Sequence, residues 1–196
     1  KWIIRNGVFA TGEEGGVING CMVIGNGMIS YIGPNEPEDA RDLPVVDGKG
    51  LLFMPGLVNS HGHTGMSLLR GYGDDMVLQE WLQTKMWPME AKFTSDDVYW
   101  GSSLSVVEML KSGTTTFLDM YDHMDRVAEV VEKSGIRASL ARGVIGLCSA
   151  EEQDRKLNEA IAFAKNWHGG ADGRITVMMS PHAPYTCPPD FIERFV

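Results

Sequence analysis

Up to about residue 54, apolar positions come in short runs broken by glycine. Trp2–Phe9, Gly20–Ile24 and Met28–Ile32 predict strands, and Asn26-Gly27 between the last two is a tight-hairpin dipeptide. Gly25-Asn26-Gly27 does not open a dinucleotide fingerprint, because Ser30 stands where the third glycine belongs and a strand follows. The stretch is a small β module.

From Leu57 onward, apolar strands alternate with segments of helical period. Gly56–His61 reads as a buried strand with polar residues at its end, followed by a long, partly helical excursion through Trp81 and Trp87. A helix is expected from about Ser95 to Ser112, with Thr94 and Asp97 in capping-box spacing, Val98, Leu104, Val107 and Leu110 on one side, and Gly113 as its stop. Strand Thr114–Met120, helix Asp125–Ser134 closed by Gly135, and strand Ile136–Ile145 follow. A Ser149/Glu152 capping box then opens a helix with Leu157, Ile161, Ala164 and Trp167 in one stripe. A Gly169-Gly170 stop and strand Arg174–Ser180 complete the pattern. Four βα units imply a parallel sheet, doubly wound or a barrel, and His61 and His63, Asp119 and Asp122, Arg142 and His182 fall at strand ends, where such folds build their sites. Four units are half of an eightfold barrel. A further helix begins at Pro189 just before Val196, so the sequence reads as cut.

Charge and composition narrow the partners. With 17 Lys and Arg against 26 Asp and Glu, the net charge is −9, which disfavours a nucleic-acid backbone. At 43% hydrophobic and 22% charged, the chain has the material for a core and suits a soluble globular protein. No apolar run reaches the roughly 18 residues of a membrane helix, and Lys1–Asn6 lacks a signal-peptide core, so a cytoplasmic protein without membrane partners is expected. Cys21, Cys148 and Cys187 lack CxxC spacing and read as small buried or loop residues.

His61-Gly62-His63 places two imidazoles on one strand face, able to share a metal ion. Alone the pattern says little, since catalytic zinc usually has about three protein ligands. Its surroundings say more. Met54-Pro55-Gly56-Leu57-Val58-Asn59-Ser60-His61-Gly62-His63 resembles the opening motif of the amidohydrolase superfamily. Ser67–Gly71, Trp87-Pro88-Met89-Glu90, Ser112-Gly113-Thr114-Thr115-Thr116 and Pro181–Cys187 are similar to the branch containing the 5′-methylthioadenosine/S-adenosylhomocysteine deaminases and the triazine chlorohydrolases. The likeness runs along essentially the whole chain. One departure is Gly62, where the family usually has threonine; it leaves the two ligands in register.

The resemblance implies a distorted (β/α)8 barrel, of which residues 55–196 are the first four βα units, and residues 1–54 are the N-terminal part of a small β-sandwich domain. It implies hydrolytic deamination of an adenine nucleoside, in which water activated by one divalent ion, zinc or iron, attacks C6 and ammonia leaves. His61 and His63 would be metal ligands. A third histidine, an aspartate and the proton-shuttle glutamate come from later strands in the family, so no catalytic acid or base is expected within these 196 residues, which alone should be inactive. Among substrate contacts, Glu90 matches the acceptor for the ribose 2′ and 3′ hydroxyls, a role suited to a carboxylate. Arg142, and Arg155 with one inserted residue before it, match positions that can clamp the carboxylate of S-adenosylhomocysteine, while His182 matches a histidine on the purine. The partner is then a small molecule, and homo-oligomerisation is left open. Rival readings are a triazine chlorohydrolase or a guanine or cytosine deaminase of the same branch, and a metal-free scaffold or fragment. His123 and His168 read as exposed, Asp74-Asp75 as a loop, and Trp81, Met86, Trp87 and Met89 as core or pocket wall.

Overall fold

The computed structural model describes residues 1–12 and 16–195, and the chain divides into two compact units, Lys1–Gly56 and Leu57–Val196. The first holds β1 (Trp2–Ala10), β2 (Val17–Gly25), β3 (Met28–Gly33), β4 (Val45–Asp47) and β5 (Leu52–Phe53). Its sheet runs β3-β2-β1-β4, with β5 also on β1; β1, β2 and β3 pair antiparallel, whereas β4 and β5 lie parallel to β1. The β2–β3 hairpin turns at Asn26 and Gly27, whose φ angles of 52° and 72° are the two positive values a type I′ turn needs. A bulge between Ile4 and Gly7, with Asn6 at φ 59°, resets the alternation of β1. Ile3 therefore packs with Cys21, Val23 and Ala40, while Ile4 and Phe9 share a cluster with Met22. Strands β4 and β5 escaped the sequence pattern because each is only two or three residues long.

The second unit is mixed α/β. Its elements are β6 (Leu57–Asn59), α1 (Leu78–Trp81), α2 (Trp87–Glu90), α3 (Ser95–Lys111), β7 (Thr114–Tyr121), α4 (Met124–Ser134), β8 (Arg137–Val144), α5 (Ala150–Trp167), β9 (Ile175–Val177) and β10 (Ser180–Pro181). The sheet order is β10-β8-β7-β6, with β9 also on β8, and every pair is parallel. A π-helical turn, Leu82–Met86, joins α1 to α2. The core lies where α3, α4 and α5 meet β7 to β9: Val98, Val106, Phe117, Val127, Val131, Leu140, Phe163 and Ile175 are all buried.

Five expectations need correcting. On α3 the inward line is Val98, Gly101, Ser102 and Val106, and Leu104, Val107 and Leu110 are exposed. Small residues face inward because the 3-10 turn Thr64–Leu69 lies against them: a Cβ on Gly101 would come within 2.4 Å of the Gly65 carbonyl oxygen. On α5 the buried residues are Ala160 and Phe163, while Ile161 is exposed. Ser149 does cap this helix through Glu152 N–H, but the Glu152 carboxylate pairs with Arg155 instead of closing the box. Strand β6 is shorter than expected, and its Leu57 and Val58 are exposed, because β6 lies at the sheet edge. The last strand is interrupted at Met178 and Met179, although Met178 N–H still donates to Leu140 O at 2.9 Å. In contrast, the box at Thr94 and Asp97 is complete, and Gly135 ends α4 at φ 81°.

Candidate functional site

Past the end of β6 the chain turns through His61-Gly62-His63 and enters the Thr64–Leu69 turn. Strand β7 holds this turn in place. Met120 N–H donates to Gly62 O at 3.3 Å, and His63 Nδ1 lies 2.7 Å from Met120 O. A carbonyl can only accept, so Nδ1 carries a hydrogen, which in the neutral ring leaves the lone pair on Nε2. Next to it, Asp119 is fully buried and takes Thr64 N–H at 3.2 Å on both carboxylate oxygens and the Thr64 hydroxyl on one. Because the Thr64 hydrogen goes to Asp119, Ser102 Oγ donates to Thr64 Oγ1 at 2.9 Å. Burial pushes the Asp119 carboxyl up to about 7, while the hydrogen bonds from Thr64 pull the other way.

The two imidazoles stand edge to face with ring centres 4.9 Å apart, His63 half-buried and His61 exposed. Imidazole nitrogen is a good donor for zinc or iron, and a ring whose other nitrogen is fixed on a carbonyl has the outer contact that metal-ligating histidines ordinarily show. The pair fits a divalent ion on that ground. Among the described residues, no three His, Cys, Asp or Glu side chains gather into a metal cluster.

A cavity of about 430 Å³ opens beside His63. Glu90 and His182 line it, as do Trp81, Met86, Trp87, Tyr121 and Arg142. Glu90 ends α2, and its Oε1 accepts from Tyr121 at 2.7 Å. Burial first, and then the Glu90 hydrogen bond, hold the Tyr121 phenol above its ordinary range. His182 Nδ1 lies 2.8 Å from Thr186 Oγ1, which donates to Ala183 O at 3.1 Å. That hydroxyl hydrogen being committed, His182 donates through Nδ1 and turns an unprotonated Nε2 outward, and burial, with His63 nearby, lowers its pKa.

Arg142 also lines a second cavity of about 320 Å³, with Asp122, His123, Arg155 and Glu159. It pairs with Asp122 at 3.4 Å and Glu159 at 3.2 Å, and Arg155 reaches the same Glu159 as well as Glu152. His63, Glu90, Arg142 and His182 thus face one cavity, Arg155 stands one carboxylate further out, and His61 is not among the cavity-lining residues. Trp81, Met86 and Trp87 are cavity wall; Met89 is not. His123 and His168 are exposed, although His168 Nδ1 accepts from Val177 N–H at 3.1 Å, and Asp74 and Asp75 occupy an exposed turn. Sequence reasoning did not mark Tyr121, and it placed Asp119 at a strand end without giving it a role; their partners lie 31 and 55 residues away.

A model of the Amidohydrolase family matches residues 52–196. The chain is 50% identical over 199 residues to 5-methylthioadenosine/S-adenosylhomocysteine deaminase of Halalkalibacterium halodurans, which covers 99% of this chain and 45% of that protein. It is similar to a solved adenosine deaminase from Xanthomonas campestris with bound zinc, with a TM-score of 0.83 at 31% identity over 100% of this chain and 46% of that one. Atrazine chlorohydrolase from Arthrobacter aurescens TC1, complexed with zinc, matches with a TM-score of 0.86 at 20% identity over 100% of this chain and 49% of that one, a likeness of fold. The chain spans less than half the length of these relatives.

Proposed function

This chain belongs to the amidohydrolase family, and on that premise we propose that it is the front part of a metal-dependent deaminase of adenine nucleosides such as 5′-methylthioadenosine and S-adenosylhomocysteine. The observation that carries this reading is the convergence of His63, Glu90, Arg142 and His182 on one cavity of about 430 Å³ at the ends of parallel strands. Residues 55–196 are the first four βα units of a distorted (β/α)8 barrel, and residues 1–54 are part of a β-sandwich. His61 and His63 hold one divalent ion, zinc or alternatively iron, with further ligands from the rest of the full-length protein. That ion supplies the Lewis acidity that brings the pKa of water toward ~7. Glu90 accepts the sugar hydroxyls, and His182 offers Nε2 to the purine. Tryptophans 81 and 87 and Met86 keep water from the base. Arg142, with Arg155 behind it, exchanges an internal carboxylate for that of an amino-acid tail. A triazine hydrolase shares the fold but has no use for a diol acceptor or a carboxylate clamp. The protein is expected to be cytoplasmic; among the described residues, no helix is long and apolar enough to cross a membrane.

The test is ammonia release by the full-length protein from 5′-methylthioadenosine and S-adenosylhomocysteine. Activity on both is expected, with Arg142→Met lowering kcat/KM for S-adenosylhomocysteine about 10-fold or more relative to 5′-methylthioadenosine. Inactivity on both, or an unchanged ratio, would overturn the substrate reading or the role of Arg142 respectively.

A further inference from the structure

We infer that Tyr121 is a positioning residue that presets Glu90 for a vicinal diol: its phenol occupies one carboxylate oxygen and leaves the other to the sugar. This rests on the reading of Glu90 as the ribose acceptor. The two oxygens are 2.7 Å apart, and the residues lie on elements of very different length. Glu90 ends a four-residue helix that follows a π-helical turn, so its backbone alone aims a long, rotatable side chain poorly. Tyr121 ends an eight-residue strand and stands in register with Arg142 of β8.

The phenyl ring is braced from behind. A Cβ on Gly65 would come within 2.8 Å of it, so the ring rests directly on glycine backbone in the Thr64–Leu69 turn. That turn is itself fixed by Asp119 and by Gly101 of α3. The hydrogen bond therefore ties the Glu90 carboxylate to a strand that is paired on both sides. Among the described residues, only Tyr121 donates to Glu90 from a side chain, and it reaches Oε1 alone. A carboxylate offers about four acceptor sites, so a fixed Oε1 leaves Oε2 and its lone pairs aimed at a sugar. Removing the phenol oxygen would leave Glu90 present but unaimed.

The experiment uses the full-length metal-loaded protein as wild type, Tyr121→Phe and Glu90→Ala, with 5′-methylthioadenosine and its 2′,3′-dideoxy analogue as substrates. The readout is the ratio of kcat/KM for the two, which cancels any general loss of folding or metal. Tyr121→Phe is expected to lower this ribose preference about 10- to 100-fold, mainly through KM, the range that loss of an orienting partner commonly produces. Glu90→Ala should abolish it, and adding Tyr121→Phe to Glu90→Ala should lower it no further. If Glu90→Ala abolishes the preference and Tyr121→Phe keeps it, the inference is wrong and the ribose reading stands. If Glu90→Ala itself keeps the preference, the ribose reading falls and the inference with it.

Discussion

Asp119 gathers three hydrogen bonds from Thr64 while fully buried. Changing it to alanine would strand the Thr64 N–H and hydroxyl, at a cost of about 1–3 kcal/mol for each unsatisfied buried group. Asp119→Ala is therefore expected to lower the urea midpoint clearly, with an unchanged m-value, whereas Asp122→Ala, at an exposed carboxylate, should shift it little. Equal shifts would mean that the buried network carries no special weight. At this scale, the sequence was most informative where chemistry depends on short spacing. His61 and His63 stand two residues apart, while Glu90 stands out only through the family-like stretch Trp87-Pro88-Met89-Glu90; of the three, His63 and Glu90 line the cavity. Tyr121 could not be read from the sequence, nor could the role of Asp119 beyond its place at a strand end, because what makes each matter is a partner brought close only by folding. The exposed position of His61 could not be read either.

Helix α3 shows where periodicity misleads. Its capping box was legible because Thr94 and Asp97 are local, but Leu104, Val107 and Leu110 point outward and its buried line contains Gly101 and Ser102 beside Val98 and Val106. Close backbone approach selects small residues, and a reading that follows large side chains misses that face. Gly101→Ala puts helix propensity against sterics. Alanine favours an exposed helix interior by up to ~1 kcal/mol, yet here its Cβ would meet backbone, the Gly65 carbonyl oxygen, at 2.4 Å. Destabilisation by about 1–3 kcal/mol is expected, seen as a lower Tm. A stabilised variant would show that the Thr64–Leu69 turn yields easily.

In the second unit, several large apolar side chains remain in water, among them Val58 at 66% and Val107 at 53% exposure. Strand β6 also leaves one edge unpaired within its sheet. Such surfaces seek cover, so the 196-residue chain expressed alone is expected to associate with rising concentration in sedimentation velocity, and two imidazoles should retain zinc poorly against a chelator. A monodisperse monomer that turns over adenosine would contradict both the proposed half-barrel and the two-ligand account. The alternation of strand and helix was legible from Leu57 onward because each period is long enough to count; the short strands β4 and β5 of the first unit were not. The end of β7 has a consequence for heredity. Three consecutive residues there serve different clients: Asp119 holds the Thr64 turn, Met120 holds the His63 ring and Tyr121 holds Glu90. A one-residue insertion or deletion in that strand would swap its faces and disable all three at once. Under the proposed function, substrate choice can therefore drift through the Leu78–Glu90 wall or through α5, one substitution at a time, while β7 has to be inherited whole.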